Sequence, residues 1–161
     1  MLRLLAGFVA AVSGGLSWDG RPVPPSAPEH RARLHFVGHA DPVKPLLSVA
    51  ENVGFANALA GGASGASEIT AALDWFGLGG LAATPGRFLS AGQKRRTNLA
   101  RLIAGTRPLW LLDEPGVGLD RANRARLEAA IDRHRGQGGI CILATHGDVA
   151  AREPLVLDFG G

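Results

Sequence analysis

With one cysteine among its 161 residues, Cys141, the chain cannot form an internal disulfide, so no staple of that kind supports its fold. That cysteine lies in the apolar run "GICILAT", which predicts a buried, unreactive thiol in a reducing compartment. The apolar run at the start, Leu4 to Val12 in "MLRLLAGFVAAVSGG", is cut by Ser13-Gly14-Gly15, well short of the roughly 18 residues a bilayer span requires. It cannot cross a membrane. There is little excess charge either: 17 Lys and Arg against 14 Asp and Glu leave +3, where a duplex-binding protein needs a larger or more clustered surplus. The basic runs "HRAR" (His30 to Arg33), "KRR" (Lys94 to Arg96) and "RANRAR" (Arg121 to Arg126) read as solvated helix or loop faces, and no nucleic-acid partner is expected. Sustained heptads are also missing, which excludes a coiled-coil insertion.

What remains is a chain 46% hydrophobic and 19% charged, long enough for one domain that buries roughly 70% of its unfolded surface. The opening stretch, with Arg3, an apolar core and small residues, fits a signal peptide and fits equally a helix that ends at a glycine. "GGLSWDGRPV" reads as a strand and turn, with Asp19-Gly20 as a hairpin signal. "RLHFVGHA" alternates as a strand does. Leu47 to Phe76 has helical spacing interrupted by "GGASGAS", which predicts two helices on a mobile link, and Ser48 with Glu51 has capping-box spacing. The last third predicts a helix from Ser90, the strand "PLWLLDE", the helix "RANRARLEAAIDRHR", the strand "GICILATH" and a final strand-like "EPLVLDF". Continuous apolar strands separated by helices imply an α/β fold, a mainly parallel sheet covered on both faces.

Ligands of such sheets sit at the carboxyl ends of the strands. "LSAGQ" puts Ser90 and Gln93 at capping-box spacing, and its turn turns backbone amides outward at a positive helix end that suits phosphate. Leu109 to Leu112 run straight into Asp113 and Glu114, so a buried strand delivers two adjacent carboxylates whose side chains point to opposite faces. Asp113 suits a Mg²⁺ ion that keeps its waters, and Glu114 suits a general base acting on water. "GICILATHG" brings Thr145 and His146 to a neighbouring strand end, where an imidazole could orient the attacking water or contact a phosphate.

In order and spacing, "LSAGQ", "LWLLDEP", "GLD" and "ATH" resemble the second half of an ATP-binding cassette (ABC) ATPase. "FVGHADPVKPLLSVAENVGF", "LSAGQKRR" and "WLLDEP" are most similar to the branch that supplies the ATP-binding subunit of the heme exporter of cytochrome c maturation. The resemblance implies a P-loop NTPase-like fold, with a helical subdomain over residues 46–87 between core segments 1–45 and 88–161. Ser90, Ala91, Gly92 and Gln93 become the signature motif, Asp113 the Walker B residue that holds Mg²⁺ through water, and Glu114 the catalytic carboxylate. Asp120 closes the D-loop, His146 is the switch histidine, and His39 falls at the Q-loop position.

It further implies ATP and Mg²⁺ as ligands, a second ATPase domain and an integral membrane permease as partners, and a place on the cytoplasmic side of the inner membrane. Leu47 to Phe76 is the expected docking region. The chain departs from the family at two points. His39 stands where the family at large has Gln, and no Gly-Lys-Ser/Thr phosphate loop occurs. Met1 to Gly7 and "GGLSWDG" match the segment that follows such a loop, so an N-terminally truncated domain is expected, with weak ATP binding and negligible hydrolysis by the chain alone. The alternative is a non-catalytic partner or remnant that donates its signature motif to a full ATPase.

Overall fold

The computed structural model describes residues 1–147 and 149–157. Its centre is a three-stranded parallel sheet in the order β3 (Leu34–Val37), β4 (Leu109–Asp113), β5 (Ile140–Ala144). The register pairs Leu34 with Leu109 and Val37 with Leu112 on one side of β4, and Leu109 with Ile140 and Asp113 with Ala144 on the other. Leu109 to Leu112 are all buried, as a strand with neighbours on both sides should be. β5 pairs only with β4 among the described residues, and Ile140 is half-exposed. The apolar run of β5 is therefore less buried than its composition implies. Cys141 is likewise only partly buried, yet desolvation still pushes its thiol up to about 12.

Strand alternation sorts the sheet's side chains into two cores. Val37, Trp110 and Leu112 face α5 (Ala91–Ala104) and α6 (Arg121–Gly136), together with α3 (Val49–Leu59) and α4 (Ala66–Trp75), in one continuous cluster. The helices of residues 46–87 thus share the main core through α5 and have no core of their own. On the opposite face Leu34, Leu109 and Leu111 meet Leu2 and Ala6 of the first helical turns, with Trp18 packed beside them. There α1 (Leu2–Leu5) is a single turn ended by Gly7 at φ +76°. The apolar run beyond it is not helix, and Phe8, Val9 and Val12 are exposed. β1 (Ser17–Trp18) and β2 (Arg21–Pro22) form the expected antiparallel hairpin, with positive φ at both Asp19 and Gly20 as a type I′ turn demands. The short α2 (Pro28–Arg31) leads into β3.

Three local expectations need correction. The "HRAR" and "KRR" runs are only partly solvated: Arg31 and Ala32 are exposed, but His30 is buried with Nε2 on Leu5 O at 2.7 Å, and Arg95 is buried on α5. The Gly/Ser link between α3 and α4 is pinned, because Ser64 Oγ donates to Ala104 O at 2.6 Å and accepts from Asn57 Nδ2 at 2.8 Å. Residues 153–157 of "EPLVLDF" are irregular and largely exposed, and Asp158 and Phe159 lie outside the described residues.

Candidate functional site

β4 ends at the sheet's carboxyl edge with Asp113, which shares the face of Leu109 and Leu111. Its side chain lines a cavity of about 610 Å³ together with Arg3, Phe8, Gly38 and His39. Glu114 leaves the strand: its amide donates to Ala144 O at 2.9 Å, and its φ of +48° lies in the left-handed region, which a non-glycine residue adopts at a cost. That turn carries its carboxylate to His146, whose Nε2 lies 3.5 Å from Glu114 Oε1. His146 is almost fully exposed, whereas the Glu114 side chain is about three-quarters covered, at 23% exposure. Adjacent strand ends therefore bring the expected general base and imidazole together, while His39 and Asp113 share one cavity.

The "LSAGQ" turn forms a reciprocal cap on α5. Ser90 Oγ accepts from the Gln93 amide at 3.3 Å, and Gln93 Oε1 accepts from the Ser90 amide at 2.8 Å. With those two amides occupied, Ala91 and Gly92 carry the outward donors of the first turn. A Cβ on Gly92 would lie 3.4 Å from Gly118 O, so the turn packs against the loop that leads to Asp120. Asp120 caps α6 through Oδ1, accepting from the Asn123 amide at 2.8 Å, and that bond foremost holds its carboxyl below the usual range. Ser90, Gln93 and Asp120 thus serve their own helices as caps, while Ala91 and Gly92 form the first turn of α5.

Sequence reading missed Arg95. Only 3% exposed, it donates from Nη2 to Glu114 O at 2.6 Å, from Nε to Pro115 O at 3.2 Å, and from Nη1 to Gly38 O at 2.9 Å and Asp41 Oδ1 at 3.0 Å. Asn98 Nδ2 adds a second donor to Asp41 Oδ1 at 2.8 Å. The available signal was helical spacing: Arg95 stands four residues before Leu99 and seven before Leu102, on the stripe that faces the core.

Two carboxyl-edge carboxylates, an adjacent imidazole and a capped helix start whose amides suit phosphate agree with a nucleotide-hydrolysing site. Comparison with known proteins decides the family: the family model described as ABC transporter matches residues 1–117. The chain belongs to the ABC transporter ATP-binding family. It is 49% identical over 157 residues to a "Cytochrome c biogenesis ATP-binding export protein CcmA" of Rhodospirillum rubrum, with 98% of this chain and 66% of that protein covered. A protein of the same name from Paramagnetospirillum magneticum is 50% identical over 156 residues, with 92% and 70% covered. The chain spans about two thirds of the length of these relatives. In fold it is similar to the dimeric ATP-binding cassette MJ0796 bound to ADP and Pi, at TM-score 0.77 and 22% identity, with 90% of this chain and 68% of that chain covered. The P-loop NTPase-like α/β fold expected of an ABC ATPase is therefore present.

Proposed function

We propose that the chain is the ATP-binding subunit of an exporter, coupling ATP hydrolysis to movement of heme or another component of cytochrome c maturation through a separate integral membrane permease. One observation carries this reading: Glu114 and His146, from adjacent strand ends, stand 3.5 Å apart at the edge where Asp113 opens into a cavity. Glu114 Oε1 takes the proton of the attacking water, and His146 orients that water or the terminal phosphate. Ser90, Ala91, Gly92 and Gln93 are presented to a nucleotide held by a second ATPase domain, and the Ala91 and Gly92 amides meet its phosphates.

The donor set also fits Mg²⁺. Asp113 is the carboxylate among the residues lining the cavity of about 610 Å³, a hard oxygen donor that suits an ion which takes one carboxylate and keeps its waters. Asp113 is the residue that would hold it, with His39 lining the same cavity, and the bound ion would neutralise phosphate charge. The permease would dock at an apolar cavity of about 540 Å³ between α3 and α4, lined by Leu47, Ala50, Gly54, Phe55 and Ile69. No helix among the described residues is long and apolar enough to cross a membrane, so attachment to the cytoplasmic face of the inner membrane would run through that permease.

Within its 161 residues the chain has no Gly-Lys-Ser/Thr loop to grip phosphates, and the 161-residue chain alone therefore binds MgATP weakly and hydrolyses it negligibly. In a second reading the chain donates its signature turn, whose cap at Ser90 is fully formed, to a complete ATPase domain without hydrolysing ATP itself. A chimera that supplies a glycine-rich phosphate loop ahead of Met1 separates the two. Turnover that is lost on Glu114→Gln supports the catalytic reading. A chimera that binds MgATP without turning it over supports the donor reading.

A further inference from the structure

Resting on the nucleotide-site reading of Glu114, we propose that Arg95 is a positioning residue that couples the loop after β3 to the backbone of Glu114. Its guanidinium joins two segments that are far apart in sequence. Nη1 holds Gly38 O and the Asp41 carboxylate, while Nη2 and Nε hold the consecutive carbonyls of Glu114 and Pro115. A planar fork with five fixed donors can serve acceptors in several directions at once, which an ammonium on a flexible stem cannot.

The bond to Glu114 O acts at the one point of the site where the backbone is strained. A left-handed Glu persists only where its surroundings over-determine it, and three bonds to its backbone do so here. Glu114 N is held by Ala144 O at 2.9 Å and Glu114 O by Arg95 at 2.6 Å. The same carbonyl accepts from the Val117 amide at 3.3 Å, so the turn that aims the carboxylate at His146 closes on an atom that Arg95 holds. At its other end the guanidinium is anchored by Asp41, which Asn98 holds from the next turn of α5. Displacement of Gly38 or Asp41 therefore pulls on the carbonyl that sets the direction of Glu114. His39, the cavity-lining residue that shares its space with Asp113, sits between those two anchors. Occupancy of the cavity and the aim of the carboxylate are linked through Arg95.

Residue-resolved amide exchange on the full 161-residue chain tests this without nucleotide. Arg95→Met is expected to speed exchange of the Glu114 and Val117 amides by about tenfold or more, while the Leu111 and Leu112 amides keep their protection. Asp41→Ala is expected to produce a smaller rise at the same two amides, and no further rise when combined with Arg95→Met. Should Arg95→Met fail to fold, Arg95→Lys, which keeps charge and stem but not the fork, is expected to give the same pattern at reduced size.

The proposal is overturned if exchange at Glu114 and Val117 stays within about twofold of the parent while the interior of α5 loosens, because Arg95 would then only pack that helix. It is equally overturned if Asp41→Ala leaves both amides unchanged. In the chimera carrying a phosphate loop, Arg95→Met is expected to lower kcat with little change in KM, a split that loss of packing alone does not produce. If no variant of the chimera turns over ATP, the nucleotide-site reading fails while the exchange result still decides the coupling.

Discussion

His146 Nε2 lies 3.5 Å from Glu114 Oε1, although the two residues follow different strands, β5 and β4. The contact exists because β4 and β5 run parallel and in register up to Asp113 and Ala144, and because Glu114 turns out of the strand at φ +48°. A general base typically contributes about 10²- to 10⁴-fold to a hydrolytic rate. In a chimera supplied with a phosphate loop, Glu114→Gln is expected to lower kcat by about that range with MgATP affinity nearly unchanged, as measured by steady-state hydrolysis alongside nucleotide titration.

The same strained turn has a stability consequence. A left-handed non-glycine residue costs about 1–2 kcal/mol, so Glu114→Gly is expected to leave the chain as stable as the parent or slightly more so. Thermal denaturation checks this, and a clear fall in Tm would show that the turn is not strained in the folded chain.

Burial lowers the pKa of His35 to about 3, despite the bond from its ring to Gly105 O at 2.8 Å. The unfolded chain takes up a proton near pH 6.5 that the folded chain refuses, so the unfolded state binds more protons throughout the window from about 6.5 down to about 3. Stability is therefore full above pH 6.5 and falls as the pH drops, by about 2 kcal/mol at pH 5 from this group. His134, also lowered by burial, acts in the same direction. Urea denaturation between pH 7.5 and 4.5 is expected to show this slope, and His35→Gln to flatten it.

Gly139 faces the ring of His134, which stacks on Trp110 with centroids 4.0 Å apart and planes 4° from parallel. A Cβ at position 139 would overlap that ring. Gly139→Ala must push the imidazole off Trp110, with an expected loss of about 1–3 kcal/mol in denaturant titration and a changed Trp fluorescence spectrum.

With its thiol pushed up to about 12 by burial, Cys141 is expected to resist alkylation at pH 8 in the folded chain and to react rapidly once the chain is unfolded. Mass spectrometry after timed iodoacetamide exposure reads both rates.

Legibility in the sequence followed from how local the determining physics was. The caps at Ser48 with Glu51 and Ser90 with Gln93, the Asp19-Gly20 turn and the strand Leu109 to Leu112 all depend on neighbours within a few residues, and all formed as the spacing implied. The partial exposure of β5 was hidden because it depends on strand order, which composition does not encode. The Arg95 network was hidden for a related reason: three of its acceptors are the main-chain carbonyls of Gly38, Glu114 and Pro115, which leave no side-chain signature. Ser64 likewise pins its link through Ala104 O, a partner forty residues away. Within the candidate site, the pairing of Glu114 with His146 was legible because each ends an apolar run, and parallel runs in one sheet finish at one edge.

ATP turnover by the 161-residue chain, alone and mixed with the Rhodospirillum rubrum relative at concentrations too low for that relative to pair with itself, tests the proposed shared nucleotide site most directly. The expected result is background turnover by the chain alone and added turnover in the mixture, abolished by Ser90→Arg in this chain. Turnover by the chain alone at an ordinary ABC ATPase rate, lost on Glu114→Gln, would contradict it.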